Sequence, residues 1–579
     1  MHSRWTRWDD QYKAGLMLAM LALIYTLLVY VVLPRQVFFC SDEGEKMIVV
    51  ASSVRSGDWW RVRFEYPGLR LDPDGEAFLS SWMRMVNGQP VPFHLSTMNF
   101  WNAPLYALWG IDGLYVLPLL SGLGIIWLTY RLARLMAISQ PWVVVPLVGL
   151  CTPVLFYSLT TWDHMPVVFY VMGAICLLAR QAWRTCYWQM GLAGVCIGLA
   201  VWTRIEMYLF VPIIIFSYVY TFRKHRYLLS SLFALVAGFA IVATAMIAQQ
   251  VAVYGHPDLI ALYMRSSDFA LSQGLIAAGS GSLLDSVLRQ AQVMLILSVD
   301  ASEFWLERVF MALAFVGTVL VFRSPRLQRF PLLTMGSVLM QVIGTALTIV
   351  HSRLYFVAGL VPTVPLAAWG LAYRSAKPDE CLTPARLVLE WIAALSILVL
   401  LAGLVLLPSY GGSNWGPRYL AMLFPLLPTL AWTAFWRAQG TLDALDVRRA
   451  VQIAFGMLVA ASLVVQGVGV ARMLKSKNQT LVWYDHLDSL DVEFVLSDHP
   501  WYLQHMAALY FEHVFLCPRT QEVYNRLLER MYAGGVRQFA WVSTVDSQID
   551  PQIKTAQFAV HRVQDRLYEI SPSMTGGNE

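Results

Sequence analysis

Apolar runs nearly free of charge recur along this chain, and each has the length of a bilayer crossing. Leu16–Leu33, Gly113–Trp127, Leu228–Ile247 and Leu387–Leu407 carry between them a single charged side chain, Glu390. At about 1.5 Å per residue, roughly 20 such residues cross a hydrocarbon layer of roughly 30 Å. Composition points the same way. The chain is 57% hydrophobic and 14% charged, where soluble domains carry about 25% charged residues. The sequence therefore describes a polytopic integral membrane protein, mainly α. The net charge of +5 comes from basic residues scattered at helix ends. No single patch suits nucleic acid, and that class of partner is excluded.

Hydropathy places thirteen spans near 14–34, 112–136, 141–158, 164–181, 187–202, 205–222, 228–253, 306–322, 331–350, 354–373, 386–408, 418–436 and 450–471. The first run follows Arg4, Arg7 and Lys13 and ends at Leu33-Pro34 without a small-residue cleavage site, so it reads as an uncleaved first span. With a cytoplasmic N-terminus, the inner loops hold Arg131/Arg134, Arg180/Arg184, Arg223/Lys224/Arg226, Arg323/Arg326/Arg329, Arg374/Lys377/Arg386 and Arg437/Arg448/Arg449. The short outer turns hold only Arg204, Arg353 and Arg418. This is the positive-inside asymmetry, and it favours an odd number of spans with the C-terminus outside.

Residues 1–474 then form a transmembrane domain with long exterior loops at about 35–111 and 254–304. Within the second loop, Leu283–Leu297 has a helical period suited to the membrane interface. Residues 475–579 read as a small exterior α/β domain. Strands are expected at Val492–Leu496, Phe539–Ser543 and Leu567–Ile570, and helices at Trp501–Phe511 and Thr520–Tyr532. Of the seven cysteines, Cys151, Cys176, Cys186 and Cys196 fall in or beside spans as packing residues, while Cys40 and Cys517 share the exterior side, where a disulfide is conceivable.

Ionisable groups near membrane depth are costly and mark candidate sites. Asp42 and Glu43 follow the first span in Ser41-Asp42-Glu43-Gly44-Glu45-Lys46, placed for a general base or for a helix cap. Asp163 and His164 occupy a very short outer turn, Thr160-Thr161-Trp162-Asp163-His164-Met165-Pro166, as ligands or as the start of a helix. Arg204 and Glu206 stand between two apolar runs, as site residues or as an ion pair at a helix break. Arg353 and Arg418, the latter in Asn414-Trp415-Gly416-Pro417-Arg418-Tyr419, suit a phosphate because a guanidinium binds two oxygens at once, or they snorkel to lipid headgroups.

This order of features resembles the GT-C superfamily of membrane glycosyltransferases, in particular family 39, the protein O-mannosyltransferases and the bacterial aminoarabinose transferases. Asn102-Ala103-Pro104-Leu105-Tyr106, Gly191–Arg204 and Trp415–Pro425 are similar to segments of that family, and the likeness spans roughly residues 10–475. The resemblance implies sugar transfer from a polyprenyl-phosphate donor to a lipid, glycan or protein acceptor at the exterior face of a plasma (inner) membrane. It makes Asp42 the general base, with Glu43 its neighbour and fallback. Asp163 and His164 position donor or metal, Arg204, Arg353 and Arg418 hold the leaving phosphate, and Glu206 and Tyr419 join them in binding substrate. A divalent cation, Mg2+ or Mn2+, on Asp42, Asp163 and His164 stays open, because His164 stands where some members carry a second acid. The alternative class is a lipid or glycan transporter or flippase, which would be favoured by charges buried mid-span and by broken helices in matching halves.

Overall fold

The computed structural model describes residues 2–257, 384–406, 420–441 and 445–572, apart from 80–82, 93–94, 185, 205, 225–226, 544–548, 554, 556 and 565–566. The expected spans at 306–322, 331–350 and 354–373, most of the loop at 254–304, and Arg353, Arg418 and Tyr419 lie outside the described residues.

Helices dominate. The elements are α1 (His2–Leu27), α2 (Ser41–Ser56), α3 (Met98–Trp109), α4 (Ile111–Leu114), α5 (Val116–Leu135), α6 (Val144–Cys151), α7 (Val154–Ser158), α8 (His164–Arg180), α9 (Tyr187–Thr203), α10 (Met207–Phe222), α11 (Leu228–Tyr254), α12 (Pro384–Leu406), α13 (Leu423–Thr441) and α14 (Leu445–Asp488). Among the described residues, four helical stretches are long and apolar enough to cross a membrane: Asp9–Val32, Ile111–Leu135, Leu228–Tyr254 and Phe455–Asp488. Shorter apolar helices, including His164–Arg180 and Met207–Phe222, pack among them. The expected span at 141–158 is broken at Thr152-Pro153 into α6 and α7, because proline denies the helix an N–H at that point.

Small residues set the closest helix contact. A Cβ added at Gly194 would meet the Leu235 carbonyl, one at Gly238 the Gly191 carbonyl, and one at Gly198 the Val242 side chain at 2.7 Å. In lipid, helices gain little from burying apolar surface, so backbones brought together by glycine supply the packing instead.

The first long loop carries α2 and a two-stranded hairpin, β1 (Met83–Val86) and β2 (Gln89–Pro92). Asn87 and Gly88 turn it with φ of 52° and 73°, the left-handed pair that matches strand twist. α14 is one helix of 44 residues, about 66 Å long at 1.5 Å per residue, so it outruns a roughly 30 Å hydrocarbon layer. It passes without a break through residue 474, and the sheet that follows begins twenty residues later at β3 (Phe494–Ser497).

That sheet has five strands in the order β4-β3-β5-β7-β6, with β4 (Val514–Leu516), β5 (Gln538–Val542), β6 (Phe558–Gln564) and β7 (Leu567–Pro572). β3 pairs in parallel with β4 and β5, and β7 is antiparallel to β5 and β6. Two helices, α15 (Pro500–His505) and α16 (Gln521–Ala533), make the crossovers. The expected strands and the second helix stand within a few residues of these elements. α15 stops at His505 and a 3₁₀ turn takes Ala507–Phe511, while β4 and β6 were not foreseen.

The first loop and the C-terminal sheet share one hydrophobic core, in which Phe38, Phe64 and Phe78 pack with Leu496, Leu503, Tyr510 and Phe515. Backbone bonds join them: Phe38 N–H donates to His505 O (2.9 Å) and Cys517 N–H to Ala77 O (2.7 Å). Tyr510 Oη donates to Glu65 O (2.8 Å). A Cβ at Gly44 would run into the Gln504 carbonyl, so glycine lets α2 touch α15. Cys40 and Cys517 are both buried and are not joined in a disulfide.

Gly238→Val should lower stability by about 1–3 kcal/mol through overpacking against Gly191. Gly456→Ala, at a position with nothing within 4 Å, should be nearly neutral. Thermal denaturation of both variants in detergent checks the pair, and equal midpoints would refute the packing argument.

Candidate active site

The helix ends that face the first loop gather four charged residues into one largely buried chain. Asp163 stands just before α8 and is 3% exposed. Its side chain does not cap that helix. One oxygen instead takes Lys46 Nζ at 2.9 Å, and the other takes the Arg204 guanidinium. Arg204 in turn pairs through Nε with Glu206. Two cations and two anions thus close a neutral set linking α2, the α7–α8 turn and the break between α9 and α10. The turn is short enough that Asp163 cannot leave, and Arg204 holds an extended backbone between its helices. Burial would raise the Asp163 carboxyl, but Arg204 first and Lys46 second hold it well below the usual carboxylate range.

Glu43 forms a second buried group. It is 1% exposed and occupies the first turn of α2. Oε2 accepts from Phe39 N–H at 2.7 Å and Oε1 from Thr161 N–H at 3.1 Å. The first contact resembles the reach-back half of a capping box, and the second ties α2 to the turn before Asp163. Lys477 of α14, 1% exposed, donates from Nζ to Tyr115 Oη (2.9 Å) and acts on Glu43 electrostatically. Burial raises the Glu43 carboxyl against that opposing charge.

Asp42 has a different setting. It lies within the first turn of α2, which begins at Ser41, so it is not the cap, and it is partly exposed. Its charge acts on His505 of the C-terminal domain. His164 is buried edge-on between Tyr157 and Trp162, with ring centroids 4.9 and 5.2 Å away. Nearby, Gln249 on α11 accepts from Trp202 Nε1 (3.0 Å) and donates to Trp60 O (3.1 Å), anchoring the first loop over α9.

The structure thus brings Asp163, Arg204 and Glu206 together, sets Glu43 and Asp42 beside them on α2, and seats His164 among aromatic rings. Among the described residues, no three His, Cys, Asp or Glu side chains converge as a metal would require. Both Asp163 oxygens are held by cations, so this set does not fit a divalent ion. Lys46, Lys477 and Tyr115 were not singled out from the sequence. Lys477 had a readable signal: Ser462, Gln466, Met473 and Lys477 recur at spacings of four, seven and four, the buried face of one continuing helix.

The fold is similar to that of solved membrane proteins at low sequence identity. The crystal structure of ArnT from Cupriavidus metallidurans bound to undecaprenyl phosphate is similar over 98% of this chain and 99% of that chain, with a TM-score of 0.52 and 13% identity. Its apo state matches at a TM-score of 0.51, 13% identity and 97% and 99% coverage. The archaeal oligosaccharyltransferase AglB from Archaeoglobus fulgidus lies further off, at a TM-score of 0.47, 12% identity and 92% and 70% coverage. No protein-family model and no curated protein sequence matches the chain.

Burial pushes the His505 imidazole down to about 4, with Asp42 pulling the other way. The folded protein then keeps His505 neutral where the unfolded chain, near 6.5, takes up a proton. Stability should therefore fall as pH drops from about 6.5 to about 4, by up to about 3 kcal/mol at about 1.4 kcal/mol per unit. His505→Gln should flatten that slope in thermal melts across this window. A wild-type slope that survives the substitution would exclude His505 as its source.

Removing one partner of a buried pair strands the other, at about 3–5 kcal/mol. Lys477→Met should therefore be strongly destabilising, and Glu43→Gln/Lys477→Met should recover part of the loss. Additive losses in the double variant would show that the two charges do not interact.

Proposed function

We propose that the chain is a membrane glycosyltransferase that moves a sugar from a polyprenyl-phosphate donor to an acceptor hydroxyl. The face carrying α2 and the C-terminal sheet would be the exterior one, in keeping with the arginine-poor turns at that end. One observation carries the choice of base: of the three candidate carboxylates, Glu43 and Asp163 are buried in backbone and ion-pair contacts, whereas Asp42 is partly exposed on a helix that they anchor.

In this reading Asp42 accepts the proton of the acceptor hydroxyl as its oxygen attacks the anomeric carbon. The bond from that carbon to the phosphate oxygen breaks on the opposite side of the ring, so the configuration inverts. Charge left on the phosphate is met by guanidinium groups, for which Arg353 and Arg418 are proposed. Arg204, already bound to Asp163 and Glu206, holds the scaffold together. That the ArnT structure contains undecaprenyl phosphate supports a lipid phosphate as the donor class.

A transfer assay in nanodiscs with labelled polyprenyl-phosphate sugars tests the assignment. Asp42→Asn should abolish turnover while the protein still purifies as a folded monodisperse species. Arg418→Ala should weaken apparent donor affinity more than acceptor affinity. Full turnover by Asp42→Asn would remove it as the base, and binding without turnover by the wild type would favour a transporter.

A further inference from the structure

We propose that the carboxyl ends of the parallel strands in the C-terminal sheet form a saccharide-binding subsite that delivers the acceptor to Asp42. This rests on the glycosyltransferase reading above. In open α/β sheets, ligands bind where successive crossovers leave in opposite directions, beyond the carboxyl ends of the strands. Here the order β4-β3-β5 puts that point between β3 and β5, because the chain leaves β3 to one side through α15 and returns past it through α16.

Beyond the carboxyl ends of β3 and β5 stand Asp498 and His499 and then Ser543, with Arg519 after the neighbouring β4. Arg519 and Asp498 both act on the buried Cys517 thiol, which places the ends of β3 and β4 side by side. Asp498 Oδ1 and His499 Nδ1 are shielded from solvent without a hydrogen-bond partner among the described residues. Such an atom is destabilising until something bonds to it, so two on adjacent residues are an arrangement that a ligand's hydroxyls would complete.

Trp501 and Tyr502 supply the other half. They are 52% and 40% exposed, and the His499 ring lies 5.0 Å from Trp501 and 6.3 Å from Tyr502. A pyranose has an apolar C–H face and an edge of hydroxyls. An exposed indole beside a shielded carboxylate and imidazole matches both at once, whereas aromatic residues that merely anchor a protein at the lipid interface need no shielded carboxylate.

The position connects this subsite to the reaction. α15 is six residues long, about 9 Å, and its far end meets α2: His505 O accepts from Phe38 N–H, Gly44 abuts the Gln504 backbone, and Asp42 acts on His505. A saccharide held at Asp498 and Trp501 therefore lies about one small helix from the proposed base.

The test measures binding and transfer separately on the full chain in nanodiscs. Binding uses fluorescently labelled oligosaccharides ending in hexose, hexosamine or deoxyhexose, and transfer uses the labelled polyprenyl-phosphate sugars. The wild type should bind at least one oligosaccharide above lipid-only discs. Trp501→Ala and Asp498→Asn should each weaken that binding at least about tenfold, Trp501→Phe should retain most of it, and Asp42→Asn should bind normally yet fail to transfer. Trp501 is exposed, so truncating it leaves no core cavity to confuse the result. The subsite is overturned if no oligosaccharide binds or if both variants bind as the wild type does. Loss of transfer in Asp42→Asn alongside that outcome would sink the subsite alone. Binding that depends on Trp501 and Asp498 without any turnover would sink the transferase reading instead.

Discussion

Glu43 accepts from Phe39 and Thr161 and lies within electrostatic reach of Lys477, and through these contacts three distant parts of the chain are held at one point. A carboxylate this deeply buried survives only with donors and a countercharge close by. Phe39 N–H fixes the start of α2, Thr161 N–H fixes the turn that carries Asp163, and Lys477 fixes the last long helix. Lys46, one turn along α2, then reaches Asp163, which reaches Arg204 and through it Glu206. The two groups are separate in hydrogen bonding but share α2 as their common support.

This arrangement gives Asp42 its setting. In the proposed reading Asp42 is the base, and a base needs both a fixed position and access to substrate. On α2 the tasks are divided between adjacent residues: Glu43 faces inward and carries the structural load, while Asp42 stays partly exposed. The C-terminal domain completes the division, since α15 presses on the other side of α2 through the close approach at Gly44. A helix of 44 residues allows this, because α14 both spans the bundle and holds the sheet above it.

Much of the architecture was legible in the sequence because its cause is one-dimensional. Apolar runs, their lengths and the bias of arginine between alternate loops follow from the cost of moving polar groups into lipid, and that cost is read residue by residue. Asp163 and Arg204 stood out in the sequence because charged groups in very short turns cannot move away from the bundle. The alternative roles open to them separated only in three dimensions: Asp163 takes the N-cap position of α8 but turns its side chain to Lys46 and Arg204, and Arg204 and Glu206 do form a pair at the helix break. β4 and β6 went unforeseen since three strand residues and an edge strand carry little periodicity. The Asn87-Gly88 turn was a readable signal of the hairpin in the first loop.

What the sequence determined by itself was a membrane-spanning helical bundle, a polar loop and α/β tail on one side, and a short set of charged residues where catalysis could be. Only the tertiary structure decided which of those charges face each other. Lys46 and Asp163 are far apart along the chain, and Glu43 and Lys477 still farther, so no local pattern records either pairing. The physical reason is that burial selects partners by distance in space, and a buried carboxylate is satisfied by contacts from remote segments.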